Sequence, residues 1–358
     1  MKKAIAILLA LCMVFTLAAC GSGSSTAPSA SGASRGENAG EDKTTFAAAP
    51  KYTLKWSHVS STDYPYHVAA EKVAEEVYQK TNGEVKIDIY PSNQLGSQAE
   101  TTEGLISGVV DIVCSSASVL SGYAAQVAVS DIPFIFENRE HAYAVFDDPE
   151  LSAEIFAGVE ENLGPVVAVW ENSMRSFINT KHELHSPADF VGLKFRSMQS
   201  KAFLSMFETL GAAATTMSSG EIYTSLQQGT VDGADGTIAS LYTERYWEVA
   251  PYVTISNHAY SITPIVVSPM LENKIGSENY QILVEAIQAY TDWERQYATE
   301  YESVFLKELE DTGITINYLT EEEIAAFIEA CKPVKDAMAE TCGADLIAKI
   351  ANYDYKSA

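Results

Sequence analysis

Arg196 is a cationic residue near the end of a predicted strand. It ends the segment Gly192-Leu193-Lys194-Phe195-Arg196, which predicts a short strand followed by a turn at Ser197. A guanidinium presents a planar fork of donors that matches a carboxylate with two parallel hydrogen bonds, which lysine cannot reproduce. The strand and turn would aim this side chain into a cleft. From these residues alone, a surface or structural ion pair is the other interpretation, and it stays open.

The patterns of common catalytic and metal sites are missing from the sequence after residue 50. It has no G-x-S-x-G elbow, His182-Glu183-Leu184-His185 lacks the zincin spacing, and Asp232-Gly233-Ala234-Asp235-Gly236 lacks the alternating acids of an EF-hand. There is no C-x-x-C motif or Cys/His cluster, and His67 beside Tyr66 is expected to cap or pack. We therefore expect no enzyme, no cofactor and no metal, with a surface hydrolase as the alternative class.

Strand-like and helix-like segments alternate along the chain. The alternation begins with strands at 52–58, 85–90 and 109–114 and helices at 64–81 and 99–107. It resumes with strands at 165–170, 193–196 and 262–267 and helices at 200–210 and 219–228. This pattern predicts an α/β fold with a largely parallel sheet, and ligands are expected at the carboxyl ends of its strands. Two sheets are expected rather than one.

A longer helix is predicted from 277 to about 309, where no Pro or Gly interrupts the chain. Apolar and aromatic residues recur there at spacings of three or four, namely Leu283, Ala286, Tyr290, Trp293, Tyr297 and Tyr301. A helix of about 30 residues would extend about 45 Å and could brace two lobes. A break near Arg295 is the alternative. A strand at 314–318 and a capping box at Thr320 and Glu323 then predict a helical tail.

The start of the chain predicts export. Lys2 and Lys3 precede an apolar run that is too short to span a membrane comfortably, and small residues lead to Cys20. The segment 17–21 resembles a bacterial lipobox, which implies a signal peptide at 1–19 and a lipid anchor on Cys20. An ordinary signal peptide with a chance Cys is the alternative. Residues 20–50 are rich in Gly, Ser and Ala, which predicts a flexible linker.

The remainder, from residue 51 onward, is long enough for two lobes. The formal net charge of −25 disfavours nucleic acid and anionic lipid as partners. Five Cys occur in the chain, and three of them lie beyond the linker. Cys331 and Cys342 could pair or could remain buried free thiols, and both possibilities stay open.

Several motifs occur in one order and carry a family resemblance. They are Leu54-Lys55-Trp56-Ser57-His58, Tyr90-Pro91-Ser92-Asn93-Gln94-Leu95-Gly96, Gly108-x-x-Asp111, Gly192 to Arg196, Glu221-x-Tyr223-x-x-Leu226-Gln227 and Val231-Asp232-Gly233. Over residues 52–338 the chain resembles the DctP-type solute-binding component of tripartite ATP-independent periplasmic (TRAP) transporters. The resemblance implies a two-lobed α/β fold of the periplasmic-binding-protein (Venus flytrap) type with a long hinge-spanning helix. Together with the lipobox at Cys20, it predicts a lipoprotein on the extracytoplasmic face of the membrane.

The resemblance also implies a set of ligand-binding residues. It places the main ligand anchor at Arg196 and a second cationic group at Arg175, for which an ion pair with Glu171 is the alternative. The further candidates for the pocket wall are His58, Val59, Gln98, Ser116, Ser219, Asp235 and Gly236. Lobe I is expected to comprise 51–173 plus 262–301, and lobe II is expected to comprise 174–261 plus 302–358.

The expected ligand is a small carboxylate. In the sialic-acid-binding branch of the family, the positions of Val59, Ser116, Ser219 and Gly236 hold Asn, Glu, Phe and Asn, so sialic acid is disfavoured. The small residues here would leave room. Aromatic residues could stack on a ring or belong to the core, and these are Trp56, Tyr66, Tyr223, Tyr242 and Trp247. A uronate, an aromatic or branched acid, a 2-oxo acid and a C4-dicarboxylate all stay open.

The resemblance further implies a role and its partners. A monomer would close over the acid and deliver it to TRAP permease membrane subunits for ion-driven uptake. A binding lipoprotein that feeds a membrane sensor is the alternative, because both roles use the same closed, loaded form.

Overall fold

The computed structural model describes residues 49–356. The expected signal peptide (1–19), the expected lipid site at Cys20 and residues 21–48 of the expected linker lie outside the described residues. Within the described range, no helix combines the length and apolar character needed to cross a bilayer.

The described chain alternates strands and helices as the sequence predicts. The strands are β1 (Tyr52–Ser57), β2 (Val85–Tyr90), β3 (Ile112–Cys114), β4 (Val166–Asn179), β5 (Lys194–Ser197), β6 (Ala213–Thr216), β7 (Gly233–Thr237), β8 (Tyr252–Ile255), β9 (Tyr260–Val267) and β10 (Thr315–Tyr318). The helices are α1 (Pro65–Lys80), α2 (Gln98–Ser107), α3 (Ala117–Leu120), α4 (Arg139–Asp147), α5 (Pro149–Asn162), α6 (Lys201–Thr209), α7 (Ile222–Gln227), α8 (Ile238–Thr243), α9 (Leu271–Ile275), α10 (Ser277–Ala289), α11 (Thr291–Asp311), α12 (Glu321–Cys342) and α13 (Ala344–Ala351). Short 3₁₀ helices occur at Ala125–Asp131, Pro187–Phe190, Ser219–Glu221 and Tyr246–Glu248.

Local signals explain several helix starts. Pro65 opens α1, where its missing N–H costs nothing. Helix α2 begins with a capping box, in which Ser97 Oγ accepts from Glu100 N over 3.3 Å and Glu100 Oε2 accepts from Ser97 N over 2.8 Å. The predicted box at Thr320 and Glu323 is confirmed at the start of α12.

The strands follow the order β2-β1-β3-β9-β4-β7-β5-β6, with β8 beside β4 and β10 beside β8. Strand β1 is parallel to β2 and β3, and β5 is parallel to β6 and β7. The central strand β4 is antiparallel to β9, β7 and β8. The prediction of a largely parallel sheet is therefore correct for the outer strands and wrong at the centre, because β4 and β9 run across the fold without a helical crossover.

Strand β4 joins two sheets, and it is longer than the predicted strand at 165–170. Its first part pairs with β9 as far as Met174, and its second part pairs with β7 from Arg175 onward. The expectation of two separate sheets is wrong in one respect, because β4 connects the two groups of strands into a single ten-stranded sheet. Just before the change of partner, Asn172 is an extra residue between the pairs Glu171 with Ile262 and Ser173 with Ser261. Ser173 has a φ of 83° at this β-bulge.

The long helical segment is confirmed from Ser277 to Asp311. Tyr290 alone separates α10 from α11, with φ −90° and ψ 0°. The interruption therefore lies before the predicted position near Arg295, which sits inside α11. Helix α11 packs against α1, α8 and β4.

Two clusters of buried apolar side chains form the core. One gathers the rings of Phe177, Phe190 and Phe195, and the other contains Trp56 and Trp170, whose rings lie 5.7 Å apart. The first cluster includes Cys331 and Cys342, which are buried free thiols. Both lie on α12, where a separation of about 11 residues places them about 16 Å apart, too far for a disulfide.

Candidate ligand-binding site

A cavity of about 110 Å³ lies where several strands end. Val59 follows β1, Ser116 follows β3 and Met198 follows β5, and all three line the cavity. These are the carboxyl ends of parallel strands, where the loops of an α/β fold form ligand sites. The cavity is therefore located where the alternation of strands and helices predicts a ligand.

Arg196 lines this cavity from β5, and its side chain is buried. Its Nε donates to Met217 O over 3.1 Å. Within residues 49–356, no carboxylate lies within ion-pair distance of its guanidinium. Burial lowers the pKa of Arg196 to about 10, with the charge of Asp235 acting to raise it and that of Arg175 acting to lower it. A buried cation without a counter-charge is costly, and a bound carboxylate would relieve that cost.

Arg175 lines the same cavity but already has an anionic partner. Its Nε donates to Asp235 Oδ2 over 2.5 Å, and its other nitrogens donate to Asp235 O over 2.9 Å and Ser261 Oγ over 3.1 Å. Arg175 therefore forms an ion pair, with Asp235 in place of the predicted Glu171, and its contact with a ligand stays a prediction. Glu171 instead accepts from Arg139 Nε over 2.7 Å.

Asp235 is the acidic residue of the cavity wall. Burial would raise the pKa of Asp235, but the charge of Arg175 and the hydrogen bonds from His258 and Arg175 hold it well below its usual range. His258 Nε2 lies 3.4 Å from Asp235 Oδ2, and its ring stacks on Phe177 with the centroids 4.1 Å apart. Oδ1 of Asp235 has no hydrogen-bond partner in the described part of the chain. Asp235 therefore orients Arg175 and remains ionised.

Two polar residues of the cavity wall, Ser116 and Gln98, are paired with each other. Ser116 Oγ donates to Gln98 Oε1 over 2.7 Å, and Gln98 Nε2 donates to the carbonyl of Cys114 over 3.3 Å. Of the nine residues predicted for the site, eight line this cavity, namely Arg196, Arg175, Val59, Gln98, Ser116, Ser219, Asp235 and Gly236. Contact of these residues with a ligand stays a prediction.

His58 is the exception, since it is buried behind the cavity wall. Its Nε2 lies 2.8 Å from His67 Nδ1, and burial lowers the pKa of His58 to about 3. Its ring packs edge-on against Tyr66, with the centroids 5.2 Å apart. Among the five aromatic residues considered for stacking on a ligand, Tyr66 lines the cavity, whereas Trp56 belongs to the core.

Sequence reasoning missed Tyr64 and Asn172. Tyr64 OH donates to Asn172 Oδ1 over 2.5 Å and lies 2.8 Å from Thr237 Oγ1. Asn172 enters the wall because it is the extra residue of the bulge in β4, which turns a side chain out of the regular alternation. No motif in the sequence marks a bulge of this kind. Met198, Met217, Tyr246 and Ser240 were also missed.

Gly236 is small for a reason that differs from the expected one. A Cβ added there would lie 2.8 Å from Ser240 Oγ and 3.1 Å from Leu241 Cδ2. The space beside Gly236 is thus filled by α8, and it is not left open for a ligand as the small residue had suggested. A larger side chain at this position would require α8 to move.

The described residues include no group of three or more His, Cys, Asp or Glu side chains placed to hold a metal ion. The sequence matches the model of the DctP family, described as "Bacterial extracellular solute-binding protein, family 7", over residues 56–341. The chain belongs to this family. It is thus a member of a family of extracytoplasmic solute-binding proteins.

Similar proteins extend this assignment. The C4-dicarboxylate-binding periplasmic protein DctP of Rhodobacter capsulatus is 31% identical over 306 residues, which cover 85% of this chain and 91% of that protein. A TRAP periplasmic solute-binding protein from Sulfurospirillum deleyianum with bound succinate has a TM-score of 0.83 at 28% identity, covering 85% of this chain and 100% of that one. DctPAm from Advenella mimigardefordensis with galactonate has a TM-score of 0.82 at 25% identity, covering 87% and 100%. The fold is the two-lobed α/β fold of these DctP-family proteins.

Proposed function

We propose that this chain binds a small organic acid through its carboxylate, with Arg196 as the main anchor and Arg175 beside it. The observation that carries the proposal is the state of Arg196, which is buried in the cavity wall and, among the described residues, has no carboxylate partner. Its fork of donors suits two parallel hydrogen bonds to a carboxylate. Charge-assisted hydrogen bonds contribute about 1.5 to 3 kcal/mol each, a large share of the roughly 8 kcal/mol of micromolar binding.

The relatives support the same chemical class. One relative is named for binding a C4-dicarboxylate, and two solved structures contain succinate and galactonate. These compounds share a carboxylate and differ in the rest of the molecule. In this proposal, Arg196 receives the carboxylate that these ligands share, because a guanidinium fork matches carboxylate geometry with two hydrogen bonds. The chain itself would bind and release the acid without reacting with it.

Binding would close two lobes, with lobe I at 51–173 plus 262–301 and lobe II at 174–261 plus 302–358. The change of partner in β4 supports the first boundary, because the strand leaves β9 at Met174 and joins β7 at Arg175. Arg175 and Arg196 then belong to lobe II, whereas Val59, Gln98 and Ser116 belong to lobe I. A ligand that touches both sets stabilises the closed form by its additional contacts.

The protein would deliver the bound acid to the membrane subunits of a TRAP transporter. We further propose that the protein is a monomer held at the extracytoplasmic face of the membrane by acyl chains on Cys20. Two chains provide stable anchoring, since each buried CH₂ contributes about 0.8 kcal/mol. Cell fractionation tests the anchor, because a Cys20→Ala variant should leave the membrane fraction and the unchanged chain should stay there.

Thermal unfolding of the purified full chain tests the proposed function. Organic acids would be compared with their neutral amides and with neutral sugars at matched concentrations. A ligand at about 100 times its Kd stabilises the folded protein by about 2.7 kcal/mol, which gives a clear rise in Tm. We expect a rise with acids alone, and a rise with neutral compounds alone would overturn the assignment of Arg196.

A further inference from the structure

The side chains around the cavity have a net charge that only one further negative charge would neutralise. The ionised side chains that line it among the described residues are Arg175, Arg196 and Asp235, which leave a single positive charge. Asp131 lies behind the wall, where its Oδ2 accepts from the cavity-lining Ser118 over 2.8 Å. Burial raises the pKa of Asp131 to about 6, so this carboxyl is mostly ionised at neutral pH and adds negative potential. One carboxylate would neutralise Arg196, and a second would remain uncompensated.

Two of the helix starts beside the cavity, those of α2 and of the 3₁₀ turn before α7, do not supply the missing positive charge. Ser97 caps α2, and its N and Oγ both donate to Glu100 Oε2, over 2.8 and 2.7 Å. Ser218 precedes the 3₁₀ turn before α7, and its N and Oγ both donate to Glu221 Oε2, over 3.0 and 2.7 Å. The chain's own carboxylates therefore occupy both positions. A second carboxylate of a ligand would meet these anions there.

Neutral polar groups with unused hydrogen-bonding capacity line the rest of the cavity. The amide of Asn172 accepts one hydrogen bond from Tyr64 and makes no other within residues 49–356. In the same range, the side chains of Gln199 and Ser219 line the cavity and make no hydrogen bond to the protein. Amides and hydroxyls of this kind pair well with hydroxyl groups, since each can both donate and accept.

We infer that the ligand is a hydroxylated monocarboxylate, with one carboxylate for Arg196 and hydroxyl groups for the neutral wall, rather than a dicarboxylate. This inference rests on the proposed function, because it assumes that Arg196 receives a carboxylate. The net charge and the neutral polar groups around Arg196 narrow the ligand from organic acids in general to hydroxylated acids with one carboxylate.

Calorimetric titration of the purified full chain with matched acids separates the effect of charge from that of hydroxyl groups. The four-carbon set is butyrate, threonate, succinate and tartrate, and the six-carbon set is hexanoate, gluconate, adipate and glucarate. Threitol and glucitol serve as neutral controls. In at least one set, we expect the hydroxylated monocarboxylate to bind about tenfold or more tightly than the dicarboxylates and the plain acid of equal length.

A variant of the wall tests the charge argument independently. Ser219 makes no side-chain hydrogen bond, so Ser219→Lys adds a cation without breaking a contact, and Ser219→Met is the neutral control of similar length. We expect Ser219→Lys to shift the ratio of dicarboxylate to monocarboxylate affinity by about tenfold toward the dicarboxylate, since the added charge acts at short range. Ser219→Met removes the same hydroxyl without adding a charge, so the shift in Ser219→Lys is measured relative to Ser219→Met.

The outcomes distinguish the inference from the function on which it rests. If succinate, tartrate, adipate or glucarate binds the unchanged chain as tightly as the matched hydroxy acid, the inference is overturned and the proposed function stands. An unchanged affinity ratio in Ser219→Lys would also overturn it. If threitol or glucitol binds and no acid does, the proposed function fails together with the inference.

Discussion

Two clusters of charged side chains meet β4 near its bulge, and they differ in charge balance. The Arg196 cluster consists of Arg196, Arg175 and Asp235, with two cations and one anion. The Arg139 cluster has one cation and two anions, and it consists of Arg139, Tyr143, Glu171, Ser173 and Glu302. One cluster therefore has excess positive charge and the other has excess negative charge.

The Arg139 cluster is closed by its own hydrogen bonds. Arg139 donates to Glu171 Oε1 over 2.7 Å and to Ser173 Oγ over 2.6 Å, and it also bonds Glu302. Tyr143 OH donates to the second oxygen of Glu171. These bonds connect α4, β4 and α11 and give each ionised group a partner. The comparison indicates that a satisfied cluster supports the fold, whereas the unpaired guanidinium of Arg196 is available to a ligand.

Arg139→Ala should give the largest effect, and the effect should be on stability. The substitution leaves the buried carboxylate of Glu171 without its cation, and removal of one partner from a buried pair costs about 3 to 5 kcal/mol. Because Arg139 retains some exposure, we expect a loss of about 3 kcal/mol in the free energy of unfolding, measured by urea denaturation. Ligand affinity should change by only about twofold, as for separate sites.

Lys356→Ala is the matched control. Lys356 pairs with Glu137 over 2.9 Å on the exposed surface, so its removal should leave the free energy of unfolding almost unchanged. Equal losses in the two variants would show that burial does not distinguish these pairs. A fall in ligand affinity for Arg139→Ala as large as that for Arg196→Ala would remove the distinction between the two clusters.

Arg196→Ala should show the opposite pattern. We expect affinity for the acid to fall by about a hundredfold or more, equivalent to about 2.7 kcal/mol, because the bidentate contact is lost. The unfolding free energy without ligand should change little, since the variant also loses an uncompensated buried charge. Calorimetry and urea denaturation of the same sample measure both. Lys194→Ala, an exposed change on the same strand, is the control, and unchanged affinity in Arg196→Ala would contradict the proposed site.

The two clusters also show what the sequence could predict. The strand before Arg196 and the family motif placed this arginine at a strand end, and the outer α/β alternation followed from local periodicity. The partner of Arg175 was predicted wrongly, because Asp235 lies on β7 and becomes its neighbour only through antiparallel pairing with β4. The Arg139 cluster joins residues more than 100 positions apart and has no local signal. Long-range pairing and the bulge at Asn172 therefore had to come from the structure.

The pH dependence of the free energy of unfolding tests whether Asp131 adds a negative charge near the cavity. Burial raises the pKa of Asp131 to about 6, so the folded state holds this proton more tightly than the unfolded state. This carboxyl should therefore lower stability as the pH rises from about 4 to about 6, by on the order of 2 kcal/mol. Asp131→Asn removes this contribution. Urea denaturation across this pH range should show that the variant gains stability relative to the unchanged chain, and parallel profiles would refute the assignment.

Arg196→Lys should give the smallest effect, and it tests whether charge or geometry dominates at the cavity. Lysine keeps the positive charge but replaces the planar fork with a single ammonium group, which cannot form two parallel hydrogen bonds to a carboxylate. We expect an affinity loss of about tenfold, between the unchanged chain and Arg196→Ala. Calorimetry with the acid that binds best measures it. Affinity equal to that of the unchanged chain would mean that Arg196 acts as a point charge, so the charge balance of its cluster would still explain binding but its fork would not.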